Sequence, residues 1–146
     1  MQTVPSKKKI FLFFVFIAGG LFFSCNKKDN GAIPNVPVDI YIYTGDPLFF
    51  SLQVAGGWEY VTGGSRGILI YHASNSDFMA YDRHCPYLPE NTCGQIAVNS
   101  TNISAVDSCC GSQFSMVDGS IQKGPAAMPL KQYQATFDGT VLHIFN

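Results

Sequence analysis

The chain has 146 residues, with nine Lys and Arg against ten Asp and Glu for a formal net charge of -1. That is the length of one domain, enough to bury about two thirds of its unfolded surface and to hold a core without help from a partner. There is no basic stripe of the kind that releases counterions from a phosphate backbone, so no nucleic-acid partner is expected.

The first segment decides the compartment, and with it how cysteine is to be read. Met1 to Lys9 is short and basic, Ile10 to Phe23 is a 14-residue apolar run broken only by Gly19 and Gly20, and "LFFSC" sets a small residue before Cys25. This is the anatomy of a secretory signal. The apolar run falls short of the roughly 18 residues of a spanning helix. "LFFSC" resembles the lipobox of bacterial lipoproteins, which implies cleavage before Cys25 and a lipid on the new N-terminus. A signal peptide over residues 1–24 is therefore expected, with a lipid anchor in the membrane as the first partner. The expected localisation is the bacterial cell envelope, with the outer membrane or cell surface favoured over the inner membrane. Loss of Lys7, Lys8 and Lys9 leaves six basic residues against ten acidic ones. Asn26 to Pro37, "NKKDNGAIPNVP", is polar with one glycine and two prolines, the composition of a linker. Residues 25–37 are read as a flexible tether and residues 38–146 as the folded domain.

Beyond the tether the chain reads as all-β. "VDIYIY" alternates with period two, and "GILIYH", "FMAY", "QIAV", "ISAV", "KQYQATF" and "TVLHIF" are short runs rich in aliphatic and aromatic residues. Asp118-Gly119, between "QFSMV" and "SIQ", and Asp138-Gly139, between "QATF" and "TVLHIF", are the strongest hairpin signals. No segment sustains a 3.6 period, which predicts antiparallel strands throughout. "VAGGWEYVTGGSRG" lacks the Lys-Ser/Thr of a phosphate loop and is read as turns between strands. The "NIS" sequon at Asn102 to Ser104 carries no weight in a bacterial lipoprotein.

Apart from Cys25, the exported part holds Cys85, Cys93, Cys109 and Cys110, an even number in a compartment where disulfides persist. Neighbouring residues rarely meet disulfide geometry, so Cys109 and Cys110 are each expected to pair outward, to Cys85 or Cys93. A zinc or iron site made of all four cysteines is the competing reading. Their spacing does not match the short pairs of structural zinc sites. A thiol redox role lacks a Cys-x-x-Cys.

From about Val38 onward the chain resembles the Rieske domain family, most clearly in "HCPYLP" and "CCGSQFSMVDGSIQKGPAAMPLKQY". The resemblance implies an antiparallel β-sandwich or barrel with a small cluster-binding-type subdomain. At its tip a Cys-x-His loop and a Cys-x-x-His loop would meet, covered by a hairpin and by a proline loop that falls on Gly124 and Pro125. Carried over position by position, Cys85 falls on the first cysteine ligand, Tyr87 on the first histidine, Asp107 on the second cysteine and Cys110 on the second histidine. Only one of four ligands is kept.

A Rieske 2Fe-2S centre uses two thiolates on one iron and two imidazoles on the other. Tyr87 would have to lose a proton with a pKa near 10 to bind. His72 and His143 lie in predicted strands, and His84, next to Cys85 in an extended chain, points away from it. An ordinary cluster is therefore not expected, and neither is another metal. In several Rieske proteins a disulfide joins the two loops, with one cysteine where Cys109 stands and its partner near Cys93. The resemblance thus implies Cys93 with Cys109, and leaves Cys85 and Cys110 to form a second bridge in the old cavity. Ser112 falls on the serine that donates to cluster sulfur and is read here as a turn residue. No Ser-His-Asp order or carboxylate pair marks an enzyme. The expected function is a lipid-anchored, disulfide-stabilised binding or structural module acting on an envelope protein or ligand. The alternative is an electron-transfer domain holding a 2Fe-2S cluster through unusual ligands.

Overall fold

A computed structural model describes residues 33 to 146, so the expected signal peptide and the lipidation site Cys25 lie outside the described residues. Ten strands run in chain order: β1 Asp39–Tyr43, β2 Trp58–Val61, β3 Ile68–Ser74, β4 Asp77–Asp82, β5 Ile96–Val98, β6 Ser104–Asp107, β7 Gln113–Ser115, β8 Ile121–Lys123, β9 Gln132–Phe137 and β10 Val141–Phe145. They form a six-stranded sheet in the order β1-β10-β9-β4-β3-β2 and a four-stranded sheet in the order β5-β6-β7-β8. Every paired neighbour is antiparallel, as the alternating sequence predicts.

The position of each strand explains its sequence pattern. β1 is an edge strand, so Tyr41 and Tyr43 face solvent while Ile42 between them is buried. β3 is central and covered on both faces, which is why "ILI" is continuous: Ile68 and Ile70 enter one core and Leu69 the other. Ile42, Leu142 and Ile144 from one end of the large sheet share a core with Ile68, Ile70 and Phe78 from the other end. The sheet must therefore curl around its own apolar face. On the opposite face, Leu69 and Tyr81 pack with Ile96, Ala105, Phe114 and Met116 of the small sheet.

Both Asp-Gly hairpins form. Gly119 and Gly139 take the positive φ that the turns require, +70° and +99°. Asp138 Oδ1 accepts the Thr140 and Val141 amides at 2.8 and 2.7 Å, and these bonds, Val141 first, hold its carboxyl below the ordinary value.

Two expectations need correction. Trp58–Val61 is a strand, β2, and not part of a run of turns: it pairs with β3 from Trp58 opposite Tyr71 to Val61 opposite Ile68. Pro47–Gln53 is a short 3-10 helix in a chain expected to hold only strands, started by Asp46, whose carboxylate accepts the Leu48 amide at 2.9 Å. A 3-10 turn has three residues per turn and leaves no 3.6 period to read. At the start of the domain, Lys131 Nζ donates to Pro34 O and Asn35 Oδ1, and Asn146 Nδ2 donates to Asn35 Oδ1 and Val36 O, so residues 34–36 are bonded to the folded body.

The small sheet is an insertion. The chain leaves the large sheet after Asp82 and returns at Lys131, whose carbonyl accepts the Asp82 amide at 2.8 Å. Without the insertion β4 and β9 would simply be neighbours, with Ala80 opposite Tyr133 and Tyr81 opposite Gln132.

Candidate functional site

The register of the small sheet brings the cysteines together. Ile96, the first residue of β5, lies opposite Asp107, the last of β6. The loop entering β5, residues 83–95, and the loop leaving β6, residues 108–112, therefore meet at one tip. Cys93 and Cys109 are bonded across them, with Cα atoms 5.8 Å apart, in the pairing that the resemblance implies. The bond closes a separation of 16 residues, which on the chain-entropy model stabilises by about 3 kcal/mol. Replacing both cysteines by serine is expected to lower unfolding free energy by about that amount, read from urea midpoints against the oxidised parent. An equal stability of the two proteins would count against the cross-link.

Cys85 and Cys110 remain thiols in this structure, with Sγ atoms 3.8 Å apart, so the expected second bridge is approached but not formed. Cys110 Sγ is 3.4 Å from Asp107 Oδ2 and 3.1 Å from Ser112 Oγ, while Cys85 is fully buried with Asp107 beside it. Burial raises the Cys85 thiol well above its ordinary pKa and the Asp107 hydrogen bond adds to this, against a smaller opposing effect of the Tyr87 amide. Both sulfurs are thus held next to the same buried carboxylate, whose other oxygen accepts the Cys109 amide at 2.7 Å. The ligand atoms of Cys85, Asp107 and Cys110 all lie within 4.8 Å of one another.

Three of the four ligand-equivalent positions therefore converge. The fourth, Tyr87, is half-buried and packs against the small sheet's core. Ser112 is more than a turn residue: it is fully buried, and its hydroxyl accepts the Ala126 amide at 2.9 Å. That bond ties the segment after Gly124 and Pro125 to the cysteine loop, so the proline loop does border the site.

The three histidines stay away from it. His84 Nε2 donates to Pro89 O at 2.7 Å, which leaves Nδ1 facing the Ser65 hydroxyl at 2.8 Å. His72 stacks on Phe78, and His143 stacks between Tyr41 and Phe145 and contacts Asp39. A 2Fe-2S cluster of the Rieske kind needs two imidazoles on one iron, and no imidazole among the described residues reaches this tip. Its two irons and two sulfides would also have to lie between Cys85 and Cys110, whose sulfurs are in contact. The residues present do not fit that group.

Several residues that shape the site carry no local sequence signal. Arg66, in the stretch read as turns, donates from Nη1 to Gly94 O and from Nη2 to Pro89 O and Asn91 O at 3.3 and 2.6 Å, clamping the first loop by its carbonyls. A Cβ on Gly94 would stand 3.3 Å from Cys85 Cβ and 3.4 Å from both Arg66 Nη1 and Asp107 Oδ2, so the bare glycine lets this loop close on the site. Asp82, wholly buried, accepts from the amides of Ser65, Arg66 and His84 and from the Tyr133 hydroxyl. The one available clue was scarcity: only two arginines occur in the whole chain.

No protein-family model and no curated protein matches the chain. Among solved structures it is similar to the cyanobacterial plasma membrane Rieske protein PetC3 from Synechocystis PCC 6803, at 23% identity and a TM-score of 0.49, over 60% of this chain and 84% of that one. It is also similar to the ferredoxin of carbazole 1,9a-dioxygenase from Nocardioides aromaticivorans IC177, at 14% identity and a TM-score of 0.47, over 75% of this chain and 97% of that one. The all-β, Rieske-like arrangement that the sequence implies holds in the chain's own architecture. A small antiparallel unit is set into a larger curled sheet, and two cysteine loops meet at its tip.

Proposed function

We propose that this chain is a lipid-anchored protein of the bacterial cell envelope whose Rieske-like domain has given up the 2Fe-2S cluster and serves as a disulfide-stabilised, non-catalytic binding module. The observation that carries the reading is the donor set at the tip: Cys85, Asp107 and Cys110 converge with no imidazole, and the two sulfurs stand 3.8 Å apart. The Cys93–Cys109 bond supports the disulfide-stabilised frame of this reading, since it ties the two loops together covalently. "LFFSC" supports the anchor. Among the described residues no helix is long and apolar enough to cross a membrane.

Iron and labile-sulfide analysis with a visible spectrum, on protein purified without oxygen, tests the site. A colourless protein with neither is expected. Stoichiometric iron and sulfide would put electron transfer through unusual ligands first. For the anchor, Cys25→Ser is expected to abolish lipid labelling and to shift the protein out of the membrane fraction. A processed variant that stays with membranes would remove the lipoprotein reading.

A further inference from the structure

We infer that Cys85, Asp107 and Cys110 form a mononuclear site for a single divalent ion of the zinc type, with a fourth position left for water or an incoming ligand. This rests on the reading that the 2Fe-2S cluster is gone. The spacing of the donors carries it. Zinc takes thiolate sulfur at about 2.3 Å and carboxylate oxygen at about 2.0 to 2.2 Å in a tetrahedron, so the edges of such a site are about 3.8 Å between two sulfurs and about 3.5 Å between sulfur and oxygen. Here Cys85 Sγ and Cys110 Sγ are 3.8 Å apart, and Cys110 Sγ and Asp107 Oδ2 are 3.4 Å apart. The third edge, between Cys85 Sγ and the Asp107 carboxylate, is no longer than 4.8 Å, so one ion set off the plane of the three atoms draws on all of them.

The surroundings meet the other needs of a metal site. Asp107 is oriented by the Cys109 amide on the oxygen that does not face the sulfurs, an outer-shell bond of the kind that fixes ligating carboxylates. Ser112, locked by the Ala126 amide, stands against Cys110 Sγ. On binding, each thiol releases its proton to solvent as its sulfur bonds the ion, and the site then carries two thiolates and a carboxylate against one divalent cation. Cys110 is only half-buried, which gives the ion a way in. Three protein ligands and an open position make the pattern of a zinc that binds something else, in contrast to the closed four-ligand structural site.

The test uses the full-length chain with its Cys93–Cys109 bond intact, freed of metal by chelator and titrated with cobalt(II), then zinc(II). One equivalent of cobalt is expected to bind with tetrahedral visible bands and a sulfur-to-cobalt charge-transfer band, and zinc is expected to displace it. Cys110→Ser should remove much of the charge-transfer band. It should weaken binding by more than the roughly 10- to 100-fold that loss of an outer-shell partner costs. Its thermal midpoint without metal should stay near that of the parent, while zinc should raise only the parent's. Asp107→Asn, close in shape, should keep the charge-transfer band and lose affinity. Two free thiols with no cobalt bound would overturn the site, as would a Cys85–Cys110 disulfide in protein purified without oxygen. Either result leaves the loss of the cluster standing. Native iron and sulfide would overturn both.

Discussion

Asp82→Ala should lower unfolding free energy by about 3 to 5 kcal/mol, since each buried donor left without a partner costs about 1 to 3 kcal/mol and water can reach only some of them. Four donors lose their acceptor at once: the Ser65 and Arg66 amides, the His84 amide and the Tyr133 hydroxyl. Burial together with the Asp82 hydrogen bond already raises the Tyr133 phenol well above its ordinary pKa, so it stays a donor throughout the neutral range. Tyr133→Phe removes one of the four and should cost about 1 kcal/mol. The effect reaches the site as well, because Asp82 fixes the turn that carries Arg66 and the residue before Cys85. Alkylation of Cys85, fully buried in the parent, should quicken in Asp82→Ala under native conditions. A loss below about 1 kcal/mol by urea unfolding would mean that the carboxylate is not the hub described.

Phe114→Ala is the second large effect expected, about 3 to 5 kcal/mol from lost transfer energy and the cavity left behind. Phe114 is fully buried on β7, opposite Ala105 and Ile121, and belongs to the core that holds Cys85, Ile96, Met116 and Leu130. Val117→Ala, at an exposed position just after β7, is the control and should stay within about 0.5 kcal/mol. Hydrogen exchange should show the loss of protection concentrated in β5 to β8, with β1 and β10 least affected. Equal loss in both sheets would mean that the two cores open as one unit.

What could be read in advance divides along a physical line. Strands with one wet face announce themselves by alternation, as β1 does, and strands covered on both faces by an unbroken apolar run, as β3 does. The Asp-Gly turns were legible because few residues tolerate positive φ. β2 was not, since all four of its residues are half-buried and glycines flank it on both sides. At the site, the positions Cys85, Tyr87, Asp107 and Cys110 came from the resemblance alone, and three of the four meet. Arg66, Asp82 and Gly94 act through main-chain carbonyls, main-chain amides and the mere lack of a side chain. Such roles depend on which distant segment folds against them, and they leave no spacing in the chain. The 3.8 Å between the two thiols is likewise a product of loop packing, which also sets Asp107 and Ser112 against Cys110.

The two points at which the small sheet joins the large one are hydrogen-bonded neighbours, Asp82 and Lys131. A unit joined to its host at adjacent points behaves as a cassette. Its strands can open or shift as a unit while β4 and β9 keep their own pairing, with the Arg66 clamp on the first cysteine loop as the second tie to the host. With this layout the chemistry of the tip, Cys85, Asp107 and Cys110, can change while the joint made by Leu69 and Tyr81 keeps the frame.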